Sequence, residues 1–171
     1  KFNLKEENNF LVDILLKSPL NSYFLDVGAF SGDSCIPIAK QLKNKNRSDI
    51  NIIAFEAKKN LCDKINKKAR DENLNLKCIS IVLSNKKGII FNKKEEGAGN
   101  MFNDNFKGEK FNSDTLDNQL QKLKINKVFL YKIDVEGHEA EVLQGSKKIL
   151  NNTKHIYIEV WNDKHIKERN G

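Results

Sequence analysis

A chain of 171 residues with 39% hydrophobic and 31% charged side chains can bury one core but not two, so a single domain over residues 1–171 is expected. The formal charge of +7 is almost all lysine, the arginines being Arg47, Arg70 and Arg169, which reads as a solvated surface and disfavours nucleic acid as a partner. The three cysteines, Cys35, Cys62 and Cys78, are odd in number and make no CxxC spacing, so neither a disulfide framework nor a zinc site is implied, and a cytoplasmic location is expected. The run "FLVDILL" is broken by Asp13 and followed by no cleavage site, so neither a membrane span nor a signal peptide is expected.

In chain order, residues 5–17 carry Phe10, Leu11, Ile14 and Leu15 on one helical face, and Ser18-Pro19 stops the pattern. An apolar strand from Tyr23 to Val27 then enters the turn "GAFSGDS", followed by a helix through Cys35, Ile38, Ala39 and Leu42. The rhythm repeats with the strand "INIIAFEA", a helix holding Leu61, Cys62, Ile65 and Ala69 inward, and a third strand "LKCISIVLS". Residues 86–113 break it, with "GIIFN" and "GEKFN" reading as short strands around a polar, Gly-rich excursion. A helix "TLDNQLQKL", a strand "KVFLYKID", a helix "EAEVLQGSKKIL" and a strand "HIYIEVW" complete the pattern. Apolar strands alternating with helices predict a three-layer Rossmann-like α/β fold, mostly parallel, with helices on both faces and a hairpin excursion after the third strand.

In such a sheet ligands sit at the carboxyl ends of the strands, at the first strand-to-helix turn. A P-loop needs four residues between its glycines and then lysine, whereas Gly28 and Gly32 have three residues between them and Asp33 follows. A dinucleotide turn needs glycine where Phe30 stands, and Asp26 and Asp33 would repel a diphosphate. Both features suit a cofactor without phosphate and with a cationic end, such as S-adenosylmethionine. Glu56, ending the second strand, is placed to accept hydrogen bonds from the two hydroxyls of a ribose.

The segments "FLDVGAFSGDS", "IIAFEA", "IVLSNKKG", "SDTLDNQL", "YKIDVEGHEAEVLQGSKKIL" and "IYIEV", in that order, resemble the FkbM-type methyltransferases over residues 20–161. The resemblance implies S-adenosylmethionine as cofactor, held by Asp26, Gly28, Ala29, Gly32, Asp33, Ser34, Glu56, Ala57, Ser84 and Asp134, with Ser84 on the adenine side. It also implies a hydroxyl of a small molecule or glycan as methyl acceptor. This sequence departs from the family at Phe30, where asparagine is common, and at Ala57, where proline is common. A terminal strand pair usual in such sheets is expected to be absent or to lie beyond the chain.

A second constellation, "KIDVEGHE", puts Lys132 and Asp134 on one face of a strand and carries Asp134, Glu136 and His138 to the same sheet edge. His138 and Asp134 are the candidate bases for a hydroxyl acceptor, while Glu139 and Glu141 also suit the first turn of a helix. Val142 stands where HExxH would need its second histidine, so no metal site is expected. Glu136, with Asn100 and Met101 of the excursion, is the candidate acceptor contact, although "GAGNMF" reads equally as a plain flexible loop. An RNA methyltransferase and a non-catalytic cofactor-binding module are the alternative functions, and no oligomeric state follows from the sequence.

Overall fold

A computed structural model describes residues 3–93, 101–103 and 108–159. Its elements, in order, are α1 Leu4–Leu15, β1 Tyr23–Val27, α2 Cys35–Asn44, β2 Asn51–Glu56, α3 Lys59–Asp71, β3 Leu76–Ser80, β4 Val82–Leu83, β5 Gly88–Lys93, β6 Met101–Asn103, β7 Glu109–Asp114, α4 Leu116–Lys122, β8 Val128–Ile133, α5 Glu139–Gln144, α6 Lys147–Leu150 and β9 Thr153–Ile158. The main sheet has the order β3-β2-β1-β8-β9, and every neighbouring pair in it is parallel. The expected Rossmann-like fold is therefore present.

Alternation of side chains sorts the core into two layers. On one face Phe24, Ile52 and Leu130 pack with Leu11 and Leu15 of α1, Ile38 and Leu42 of α2 and Ile65 of α3. On the other, Leu25, Ile53 and Tyr131 pack with Leu116 and Leu120 of α4, Val142 of α5 and Ile149 of α6. Burial on both faces is why these strands read as continuous apolar runs. Helix α1 starts on a reciprocal cap, Asn3 accepting from the Glu6 amide and Glu6 from that of Asn3. Pro37 falls in the first turn of α2, where its missing N–H costs nothing.

The structure refines several of the expected elements. The third strand divides at Ile81, whose amide bonds to the Glu56 carbonyl, so β3 stays in the main sheet while β4 turns into a second one. The expected excursion is present as the antiparallel pair β5 and β7, which β4 and β6 extend to a second sheet ordered β4-β7-β5-β6. The helix over residues 139–150 divides into α5 and α6 at Gly145, whose added Cβ would stand 2.1 Å from the Ser84 carbonyl oxygen. The apolar face of α1 also turns further than expected: Leu11, Val12 and Leu15 are buried, while Phe10 is 44% exposed and tilts against Tyr157. No described helix is long and apolar enough to cross a membrane.

Candidate functional site

The sheet order reverses at β1, which has β2 on one side and β8 on the other, and a cavity of about 270 Å³ opens at their carboxyl ends. This is the position at which an open parallel sheet binds ligands. Asp26, Gly28, Ala29, Asp33, Ser34, Glu56, Ala57, Asp134, Glu136 and His138 all line it, so most of the expected site residues come together. Gly32 and Ser84 are not in its wall. Asn100 lies outside the described residues, and Met101 is placed only by its backbone, in β6 opposite Lys93.

The glycine turn is tied to β2, since the amides of Gly28 and Ala29 both donate to the Phe55 carbonyl at 3.0 and 3.1 Å. Gly28 has φ +88°, and a Cβ there would stand 1.8 Å from the carbonyl oxygen of Asp134. Gly32 has φ +87°, and a Cβ there would stand 2.5 Å from Cδ1 of Ile36. Both glycines are thus demanded by the protein's own close packing and left-handed backbone, a reason that needs no ligand. Between them Phe30 holds φ +48° with a large ring 56% exposed at the cavity mouth. Its strained backbone is fixed by its amide, which donates to Oε2 of Glu56 at 2.9 Å.

Glu56 is buried, and its Oε1 accepts from the Lys58 amide at 2.9 Å. Each carboxylate oxygen keeps a lone pair for a further donor. Burial pushes this carboxyl up, against the pull of the Lys58 and Phe30 amides.

Opposite Glu56 lies an ionic cluster. Lys132 pairs in register with Asp26 across β1 and β8, and with Tyr157 across β8 and β9. Its ammonium, only 3% exposed as a residue, stands 3.1 Å from Oδ2 of Asp134, 3.8 Å from Oδ1 of Asp26 and 3.8 Å from Oε1 of Glu7. Burial would depress the lysine, but Asp26 and Asp134 outweigh it and hold the ammonium well above its ordinary range. Burial raises the carboxyls of Glu7, Asp26 and Asp134, with Lys132 pulling each back. Asp26 is 1% exposed, and neither oxygen has a hydrogen-bond partner of ordinary geometry among the described residues. A buried acceptor left in that condition is costly and suits a cationic donor arriving from the cavity.

His138 reaches the cavity wall but is largely buried beneath the turn. Its Nε2 lies 3.1 Å from Oγ of Ser84, and Nδ1 lies 3.5 Å from Oε2 of Glu141. Ser84 is thereby placed under His138, and its amide donates to the Asp114 carbonyl at 2.9 Å. Asp33 accepts from Oγ of Ser31 at 2.6 Å, while its carbonyl accepts from Nδ2 of Asn8 at 3.0 Å. Glu136 turns at φ +52° at the cavity edge.

Sequence reasoning passed over Leu4 and Glu7 of α1. Leu4 lines the cavity and Glu7 reaches Lys132. A signal was there: Glu7, Leu11 and Leu15 share one face at helical spacing, so an acid sits at the end of an apolar stripe.

Residues 26–167 match the family model described as the methyltransferase FkbM domain. Among solved structures, the chain is similar to a methyltransferase FkbM from Methylobacillus flagellatus KT, at 14% identity and a TM-score of 0.57, covering 84% of this chain and 34% of that one. It is also similar to a SAM-dependent methyltransferase from Aquifex aeolicus, at 15% identity and a TM-score of 0.43, covering 89% of this chain and 67% of that one. The chain spans about a third of the length of the Methylobacillus protein. No curated protein matches it in sequence.

Proposed function

This chain belongs to the methyltransferase FkbM family, and from that premise we propose that it transfers a methyl group from S-adenosylmethionine to a hydroxyl of a small molecule or glycan. The observation that carries the reading is the acidic cavity at the sheet's switch point, with the buried Asp26 carboxylate, 3.8 Å from Lys132, on one side and Glu56 on the other. Glu56 would accept the ribose hydroxyls, and Asp26 with Asp134 would face the cofactor's cationic end. Bound there, S-adenosylmethionine supplies an electrophilic methyl on a positively charged sulfur.

The protein's share of the reaction is chiefly alignment, since a nucleophile held in line at contact distance needs little further help. A hydroxyl acceptor also benefits from a proton acceptor. Asp134 is the better placed of the two candidates, because it lines the cavity beside Lys132 while both ring nitrogens of His138 already face partners. His138 then acts by positioning, holding the turn after β8 against Ser84. Mass spectrometry of the purified protein for a bound nucleoside, with calorimetry against S-adenosylmethionine, tests the cofactor. A folded protein showing neither bound nucleoside nor binding heat would refute it, and methyl transfer across a panel of hydroxyl acceptors tests the rest.

A further inference from the structure

The interior and the mouth of the cavity differ in chemistry. Asp26, Glu56, Lys132 and Asp134 charge its wall, whereas Leu4 and Phe30 stand at its rim with 49% and 56% exposure. Six large apolar side chains are exposed among the described residues, and these two of the six line the cavity. Both are held in place. Leu4 opens α1, one turn before Glu7 and Asn8; Glu7 stands 3.8 Å from Lys132, and Asn8 donates to the Asp33 carbonyl at 3.0 Å. Those contacts tie the first turn of α1 to the glycine turn that carries Phe30. Phe30 is fixed by its own amide, which donates to Glu56 at 2.9 Å.

Phe30 also carries a separate sign of a ligand. A φ of +48° is an outlier for a bulky side chain, and asparagine adopts that backbone far more readily. Burial does not offset the strain, since more than half of the residue stays in water. A strained aromatic residue left exposed at a cavity mouth points to a contact it makes there with something else.

We propose that Leu4 and Phe30 form the two sides of an apolar slot that receives the acceptor and selects one whose hydroxyl is carried on an apolar body rather than on a polyhydroxylated ring. This rests on the cofactor reading above. A cavity of about 270 Å³ lies at the small end for a ligand site, so a nucleoside cofactor fills it and leaves the mouth to the acceptor. The proton acceptor points the same way. Asp134 is bonded to Lys132 at 3.1 Å, and Lys132 is the group that Glu7 reaches, so Leu4 and Asp134 lie on one side of the cavity. A hydroxyl turned toward Asp134 leaves the rest of its molecule between Leu4 and Phe30. An apolar body gains there by leaving water, whereas a sugar would strip its other hydroxyls of water against two side chains that offer them no hydrogen bond.

The test is NMR titration of the protein loaded with S-adenosylhomocysteine, the product that lacks the transferable methyl, against 2-phenylethanol and methyl β-glucoside as hydroxyl probes. 2-Phenylethanol should shift the Phe30 ring and Leu4 methyl signals and bind about tenfold more tightly than the glucoside, the discrimination an apolar pocket gives. Phe30→Asn and Leu4→Asn should each weaken 2-phenylethanol about tenfold, with S-adenosylhomocysteine affinity by calorimetry within about threefold of the wild type. Because Phe30→Asn relieves backbone strain, lost binding in that variant is not lost folding. Equal binding of the two probes, or unchanged 2-phenylethanol affinity in either variant, would overturn the proposal. So would a loss of about tenfold in S-adenosylhomocysteine affinity, which would assign the pair to the cofactor's wall. Titration of the unloaded protein separates the slot from the reading it rests on: shifts at Phe30 and Leu4 in a protein that binds no S-adenosylhomocysteine would sink the methyltransferase reading and the acceptor role together, leaving only the apolar slot.

Discussion

Replacing Lys132 with methionine keeps the length of the side chain and removes the cation on which three carboxylates converge. At an effective dielectric of about 20, the 3.1 Å contact with Asp134 amounts to about 5 kcal/mol, and the 3.8 Å contacts with Asp26 and Glu7 to about 4 kcal/mol each. Desolvation offsets much of this gross attraction, and removing one partner from a buried ion pair costs about 3–5 kcal/mol. The sign of the pH dependence follows from the acids. Glu7, Asp26 and Asp134 are raised, burial being the leading cause. A carboxyl held above its unfolded value adds stability below that value, and the contribution is lost as the pH climbs through the folded one. Without Lys132 the largest pull against that rise is gone, so Lys132→Met should lose about 3–5 kcal/mol at about pH 8 and distinctly less at about pH 5. Urea unfolding at the two pH values measures both. A loss below about 1 kcal/mol at the higher pH, or an equal loss at both, would refute the view of the cluster as a cation-dependent acid nest.

Other substitutions probe other parts of the site. Glu56→Gln keeps one acceptor and the fold but should weaken S-adenosylmethionine binding about tenfold by calorimetry, a loss of about 1.4 kcal/mol; unchanged affinity removes Glu56 from the ribose. Gly28→Ala should cost about 3 kcal/mol or more, because its Cβ would meet the Asp134 carbonyl at 1.8 Å, while Gly88→Ala, with nothing within 4 Å, should be close to neutral. Phe30→Asn relieves a left-handed aromatic residue and should raise stability by about 0.5–1 kcal/mol in thermal unfolding; a decrease would show that the ring packs on the cavity mouth strongly enough to outweigh the strain. His138→Ala should destabilise the domain by about 1–3 kcal/mol through the orphaned Ser84 and Glu141, yet leave cofactor affinity within about threefold.

The main sheet was legible because each of its inner strands is buried on both faces and so reads as an unbroken apolar run between turn signals. The Glu56 and Asp134 positions were legible for the same reason, as each lies where such a run ends. The second sheet was not, because β4 is two residues long and continues the apolar run of β3 with only Ile81 between them. The break between α5 and α6 was hidden because its cause, the approach of Gly145 to Ser84, joins residues distant in sequence. The burial of His138 was not legible either, because its partner Ser84 sits on the far side of the second sheet's excursion.

Helix α1 precedes the family match, which begins at residue 26. Yet it supplies Leu4 to the cavity wall, Glu7 to the buried lysine and the Asn8 amide to the Asp33 carbonyl that closes the glycine turn. A fragment that began just after α1 would keep every recognisable motif and lose a wall of the cavity, leaving Lys132 open to water and the glycine turn without its brace. The helix would then be a natural place for relatives to differ in what their cavities admit, since it can change without touching the residues by which the family is recognised.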